Sequence, residues 1–232
     1  MEKVTFGASG ELSGYACGEL HKPGLVVLQE WWGITEEIKL QAQKIASEGF
    51  RCVVPDLYKG TLGVDQEEAH HLMTNLDFPQ AVGEICEAAK FLKESGCPSV
   101  GVTGFCMGGA LTILSLPASA DIACGVPFYG VPQGFDASTV TKPCQGHFGA
   151  LDEMKGFSDS ETAAKLGEDL KKGCAQSEVF VYEGVGHAFM NADPGRPNIK
   201  EGVNVSTGFP ALNKEVQDKA YGRMIAFFKA HL

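Results

Sequence analysis

Apolar residues recur along this chain in two rhythms. Short continuous apolar runs, at residues 25–30, 51–56, 99–103, 122–129, 144–148 and 178–182, suit strands covered on both faces. Between them the spacing lengthens to that of a helix. Thr35 precedes Ile38, Ala42, Ile45 and Ala46, and in residues 79–94 the side chains of Val82, Ile85, Ala89 and Leu92 share one face. Further helices are predicted over residues 66–73, 110–116, 161–171 and 215–230. Residues 1–22 alternate polar and apolar over short spans broken by Gly7, Gly10, Gly14 and Gly18, which predicts a strand or hairpin at a sheet edge. Strand and helix then alternate to the end, so the chain is of the α/β class, with a mainly parallel central sheet and helices on both faces. One long stretch carries neither rhythm: residues 191–212, with Pro194, Gly195, Pro197, Gly202 and Gly208. Beside a site, a segment of that length reads as a binding rim or lid.

Composition narrows this picture. With 232 residues and 44% hydrophobic content the chain can bury one large core, and residues 1–232 are read as a single domain. A formal net charge of -10 and the lack of any basic run argue against nucleic acid or an anionic membrane as partner. Neither a secretory leader nor an apolar span of the required ~20 residues is present, which predicts a soluble, cytoplasmic protein, a monomer or weak homodimer. The eight cysteines include no C-x-x-C pair and no metal-like Cys/His spacing, so no metal is expected and seven of them read as reduced thiols.

The eighth is Cys106, in Gly104-Phe105-Cys106-Met107-Gly108-Gly109, between a β-branched run and a small-residue helix. Strand, glycine-flanked residue and helix make a nucleophile elbow, in which small neighbours let strand and helix approach while the central residue is held strained and clear of the sheet. Its place at a helix N-terminus favours thiolate. In parallel sheets ligands bind beyond the carboxyl ends of the strands. That rule gathers Glu30 and Trp31, Cys106, Asp152 after residues 146–151, and His187 within Gly186-His187-Ala188-Phe189. Nucleophile, acid, histidine is the chain order of α/β-hydrolases. Cys106 would then be nucleophile, His187 base and Asp152 its orienting acid, with the neighbouring Glu153 or a helix-capping role for Asp152 as alternatives. The N–H groups of Met107 and Trp31 are candidates for an oxyanion hole. Glu30 either caps the next helix or accepts a hydrogen bond from the Cys106 thiol, opposing its ionisation and oxidation. Candidate substrate contacts are Trp32, His70, Phe189, Asn191 and Arg196.

These segments, with Gln29-Glu30-Trp31-Trp32-Gly33, Val54-Pro55-Asp56-Leu57-Tyr58 and Ala150-Leu151-Asp152, resemble the dienelactone hydrolase family from about residue 20 onward. The resemblance implies an α/β-hydrolase fold without a large cap domain. It also implies a Cys-Asp-His triad, a glutamate that holds the resting cysteine, no cofactor, and opening of a lactone ring. Relatives from chlorocatechol pathways grip a substrate carboxylate with two arginines. Here the corresponding regions read Asp65-Gln66-Glu67-Glu68-Ala69-His70-His71 and Asn191, and the chain's arginines are Arg51, Arg196 and Arg223. The expected activity is therefore cysteine-dependent hydrolysis of small esters or lactones through an acyl-enzyme, with neutral substrates served at least as well as anions. The competing readings are a redox-active thiol protein and a non-catalytic ligand-binding member of the fold.

Overall fold

The computed structural model describes residues 1–191 and 213–232. The expected N-terminal hairpin is formed by β1 (Glu2–Phe6) and β2 (Leu12–Cys17), antiparallel to one another. The chain then alternates through β3 (Gly24–Leu28), α1 (Glu36–Ala46), β4 (Arg51–Pro55), α2 (Gln66–Thr74), α3 (Phe78–Glu94), β5 (Val100–Phe105) and α4 (Met107–Ala118). It continues with β6 (Ile122–Phe128), β7 (Gln145–Gly149), α5 (Ser160–Gly173), β8 (Glu178–Tyr182) and α6 (Lys214–His231). Among the described residues these strands form one eight-stranded sheet in the order β1-β2-β4-β3-β5-β6-β7-β8. All neighbours from β4 to β8 run parallel, and β2 joins β4 antiparallel.

Register sorts the helices onto two faces. Gly24 pairs with Val100 and Leu25 with Gly101. A Cβ on Gly24 would meet Leu92 of α3, whereas one on Gly101 would meet Phe228 of α6. Successive strand residues face opposite ways, so α3 and α6 cover opposite sides. On the α6 side Tyr221 donates to the Lys44 carbonyl of α1 at 3.0 Å. On the α3 side α4 lies under Gly125 and α5 under Val179. Covered on both faces, β3, β4 and β5 are buried throughout, which is why their sequences are continuous apolar runs.

The helix expected from residue 110 begins at Met107, immediately after Cys106. Gly108 and Gly109 look like helix breakers but lie inside the first turn because there is no room for a side chain. A Cβ on Gly108 would sit 2.6 Å from the Gln29 carbonyl oxygen, and one on Gly109 2.3 Å from that of Phe128. No helix among the described residues is long and apolar enough to cross a membrane.

Candidate active site

The loops after β3, β5, β6, β7 and β8 leave the same edge of the parallel sheet, and the chemistry-bearing residues sit on them. Cys106 is the residue between β5 and α4, with φ 54° and ψ -117°, a conformation an L-residue holds only under constraint. The constraint is visible. Its N–H donates to the Phe128 carbonyl at 3.1 Å, and its own carbonyl accepts from Gly109 N–H at 2.8 Å. Gly104 faces the Gly108 carbonyl so closely that a Cβ there would come within 2.3 Å of its oxygen. Tyr129 (φ 36°) and Ala188 (φ 58°) also hold positive φ. Three of the five non-glycine residues that do so among the described residues thus surround one point.

At that point three side chains form a line. His187 Nε2 lies 3.1 Å from Cys106 Sγ, and its Nδ1 lies 2.7 Å from Asp152 Oδ2 and 3.2 Å from Ser158 Oγ. Asp152 is held by the Met154 N–H, which donates to Oδ1 at 3.1 Å, and its side chain is fully buried. Glu153, the alternative acid, is exposed. Burial alone would push the His187 imidazole down; the Cys106 sulfur and the Asp152 carboxylate outweigh it and raise it to about 10. An imidazolium beside the sulfur is the form that supports a thiolate. Met107 is the first residue of α4, so its N–H has no acceptor within the helix, and Trp31 lies in the turn after β3 on the cavity wall. The segment after β4 braces Gln29, at the end of β3, and Met107: Leu57 N–H donates to Gln29 Oε1 at 3.4 Å and Tyr58 OH to Met107 Sδ at 3.3 Å.

Glu30 lines the same cavity, but the Cys106 sulfur is aligned with His187 rather than with it. Glu30 Oε2 accepts from Asn191 Nδ2 at 3.1 Å, while the buried Oε1 has no hydrogen-bond partner among the described residues. Burial raises the carboxyl to about 7, against the opposing pull of Asn191 and His187.

The cavity above these groups has a volume of about 560 Å³ and a largely apolar wall to which Trp31, Trp32, Met73, Met154 and Phe157 contribute. Gln66, Gln133 and Lys155 supply polar groups. Two candidate contacts lie elsewhere. Phe189 is buried against Tyr129 and Tyr182, with ring centroids 5.4 and 5.5 Å apart, and does not reach the cavity. His70 is exposed on α2, its Nε2 turned back to Thr74 Oγ1 at 3.5 Å. Arg196 and the rim or lid expected over residues 191–212 lie outside the described residues, Asn191 excepted. Lys155, Phe157 and Gln133 were not singled out in the sequence, although the strand-end rule reaches them: they follow β7 and β6 as Glu30 follows β3. Among the described residues no group of three or more His, Cys, Asp or Glu is arranged to hold a metal ion.

Known proteins resemble this chain in sequence and in fold. "Protein usf" of Aquifex pyrophilus is 35% identical over 182 residues, covering 73% of this chain and 77% of that protein. Carboxymethylenebutenolidase 1 of Cupriavidus pinatubonensis is 29% identical over 184 residues, covering 73% and 76%. The crystal structure of a dienelactone hydrolase-like promiscuous phosphotriesterase from metagenomic libraries superposes with a TM-score of 0.75 at 19% identity, over 99% of this chain and 97% of that one, and so shares the fold. The sequence profile of the dienelactone hydrolase family matches residues 12–232. The chain belongs to the dienelactone hydrolase family, a family of ester and lactone hydrolases.

Proposed function

We propose that this protein hydrolyses small, mainly neutral carboxylic esters or lactones by covalent catalysis, with Cys106 as nucleophile, His187 as general base and acid, and Asp152 as the group that orients and supports the imidazole. The observation that carries the reading is the line Asp152–His187–Cys106, at 2.7 and 3.1 Å, at the floor of an apolar cavity of a size that encloses a small organic molecule.

The reaction follows from the charges. Cys106 Sγ, its proton on His187, attacks the acyl carbon, and the carbonyl electron pair moves onto oxygen. The Met107 and Trp31 N–H groups offer donors fixed in advance for that oxyanion, which costs less reorganisation than water would demand. Collapse expels the alcohol oxygen, which takes the proton from His187 Nε2 and leaves a thioester on Cys106. In a lactone the alcohol stays tethered, so the ring opens. Water then attacks the thioester as His187 removes its proton, and the thiolate departs. Burial of Asp152 makes its bond to Nδ1 strong and keeps Nε2 facing the sulfur.

The test is hydrolysis of a p-nitrophenyl ester by wild type and Cys106→Ala. Loss of at least about three orders of magnitude in kcat/KM, with an unchanged melting temperature, is the expected outcome, because removing a covalent nucleophile removes its whole pathway. A variant within tenfold of wild type would contradict the reading.

A further inference from the structure

A pair of thiols lies on β2 and β4, three and two strands from the β5 that leads into Cys106. Cys17, the last residue of β2, and Cys52, the second residue of β4, are direct cross-strand partners in an antiparallel ladder. Residues so paired share a face with Cα atoms about 4.5–5.5 Å apart, inside the range a disulfide spans. The register sets the two side chains beside one another, and both thiols are reduced. The ladder ends at this pair, where the chain turns away at Gly18, φ +90°.

From this geometry we propose that Cys17 and Cys52 form a redox-active dithiol that peroxide closes into a disulfide clasp between β2 and β4, independently of the Cys106 chemistry. The two sulfurs differ in the way such a reaction needs. Cys17 is partly exposed, and the neighbouring Cys52 thiol, with the N-terminal ammonium and the Arg51 guanidinium, holds its pKa below the usual thiol range against the effect of burial. The Arg51 side chain is itself buried, bonded to the Gly18 carbonyl at 2.9 Å and to Glu2, with its Nε–H left without an acceptor among the described residues. Cys52 is fully buried, and burial raises it. Cys17 is accordingly the attacking thiolate and Cys52 the resolving thiol.

The Cys17 thiolate attacks one oxygen of hydrogen peroxide, the O–O bond breaks, and hydroxide leaves to take up the thiol proton as water. Cys52 sulfur then attacks the resulting sulfenic acid, the S–O bond breaks, and the hydroxyl leaves as a second water with the Cys52 proton. Two thiols lose two electrons and one peroxide becomes two waters. A dithiol reductant reverses the closure by exchange, reaching the bond from the exposed Cys17 side.

The experiment treats folded wild type and Cys106→Ala with hydrogen peroxide, alkylates the remaining thiols, and maps tryptic peptides by mass. The expected product links residues 4–39, which hold Cys17, to residues 52–59, which hold Cys52. It should form in both proteins, disappear on treatment with dithiothreitol, and be absent from Cys17→Ser and Cys52→Ser. Overturning results are a Cys17 that goes to the sulfinic acid without linking, a Cys52 that links to the nearby Cys97 instead, or both thiols remaining alkylatable while other cysteines oxidise.

Discussion

Cys106 combines a strained backbone, a thiol with little solvent and an imidazole whose charge it helps to hold, a combination that suits a reacting residue rather than a packing one. The neighbouring acids divide by environment. Asp152 is sealed against His187 and Glu153 is exposed, so Asp152→Asn should lower kcat by about two to four orders of magnitude through the wrong tautomer and lost support, while Glu153→Gln leaves it unchanged. A reversed pattern in the two variants would move the orienting role to Glu153. Glu30 makes a pH-dependent prediction. Its folded pKa, about 7, lies above the ordinary 4.5, so the folded state holds this proton more tightly than the unfolded chain. Stability from this group is complete below pH 4.5 and is lost as pH rises to 7, on the order of 3 kcal/mol in all. Glu30→Gln should therefore gain stability relative to wild type between pH 5.5 and pH 8 in urea titrations, and its Cys106 should react faster with iodoacetamide above pH 7. Equal alkylation rates at pH 8 would remove Glu30 from control of the thiol.

At the scale of elements, the elbow was legible because its glycines are dictated by contact rather than by propensity: Gly104 and Gly108 face carbonyl oxygens that leave no space for a methyl group. The same requirement hid the start of α4, since glycines that serve packing look like glycines that break a helix. Asp152 and His187 were legible as polar residues just beyond apolar runs. Phe189 was misplaced because it shares a segment with His187, and segment membership does not say which way a side chain points. Lys155 was missed for want of a motif. It lies on the exposed loop between β7 and α5 and is the one lysine among the described cavity-lining residues. Arg51 is committed to Gly18 and Glu2, and Arg223 to Tyr182 and Phe180. An exposed lysine grips a carboxylate by less than about 1 kcal/mol, and salt screens it. A methyl ester should thus show kcat/KM at least equal to that of its free-carboxylate counterpart, with Lys155→Ala lowering the anion about two- to fivefold at low salt and leaving the neutral ester unaffected. A strong preference for the anion, lost in Lys155→Ala, would make this lysine the substrate grip.

For the whole molecule, periodicity gave the α/β class and the edge hairpin but not the sheet order. That β4 lies between β2 and β3, and that β3 pairs with β5, depends on crossovers between residues far apart in sequence. The contact between Cys17 and Cys52 was invisible for the same reason. What the topology accomplishes is convergence: parallel strands deliver their loops to one edge, where a thiol, an imidazole and a carboxylate from three different loops come within hydrogen-bond distance. The central claim is that acyl transfer passes through Cys106. It is tested most directly by rapid acid quench of the enzyme with a slowly released acyl ester, followed by mass spectrometry. The account predicts one acyl group per chain, localised to Cys106, appearing and decaying at rates that match turnover, and absent from Cys106→Ala. Turnover with no acyl adduct, or an adduct on another residue that keeps pace with catalysis, would contradict it.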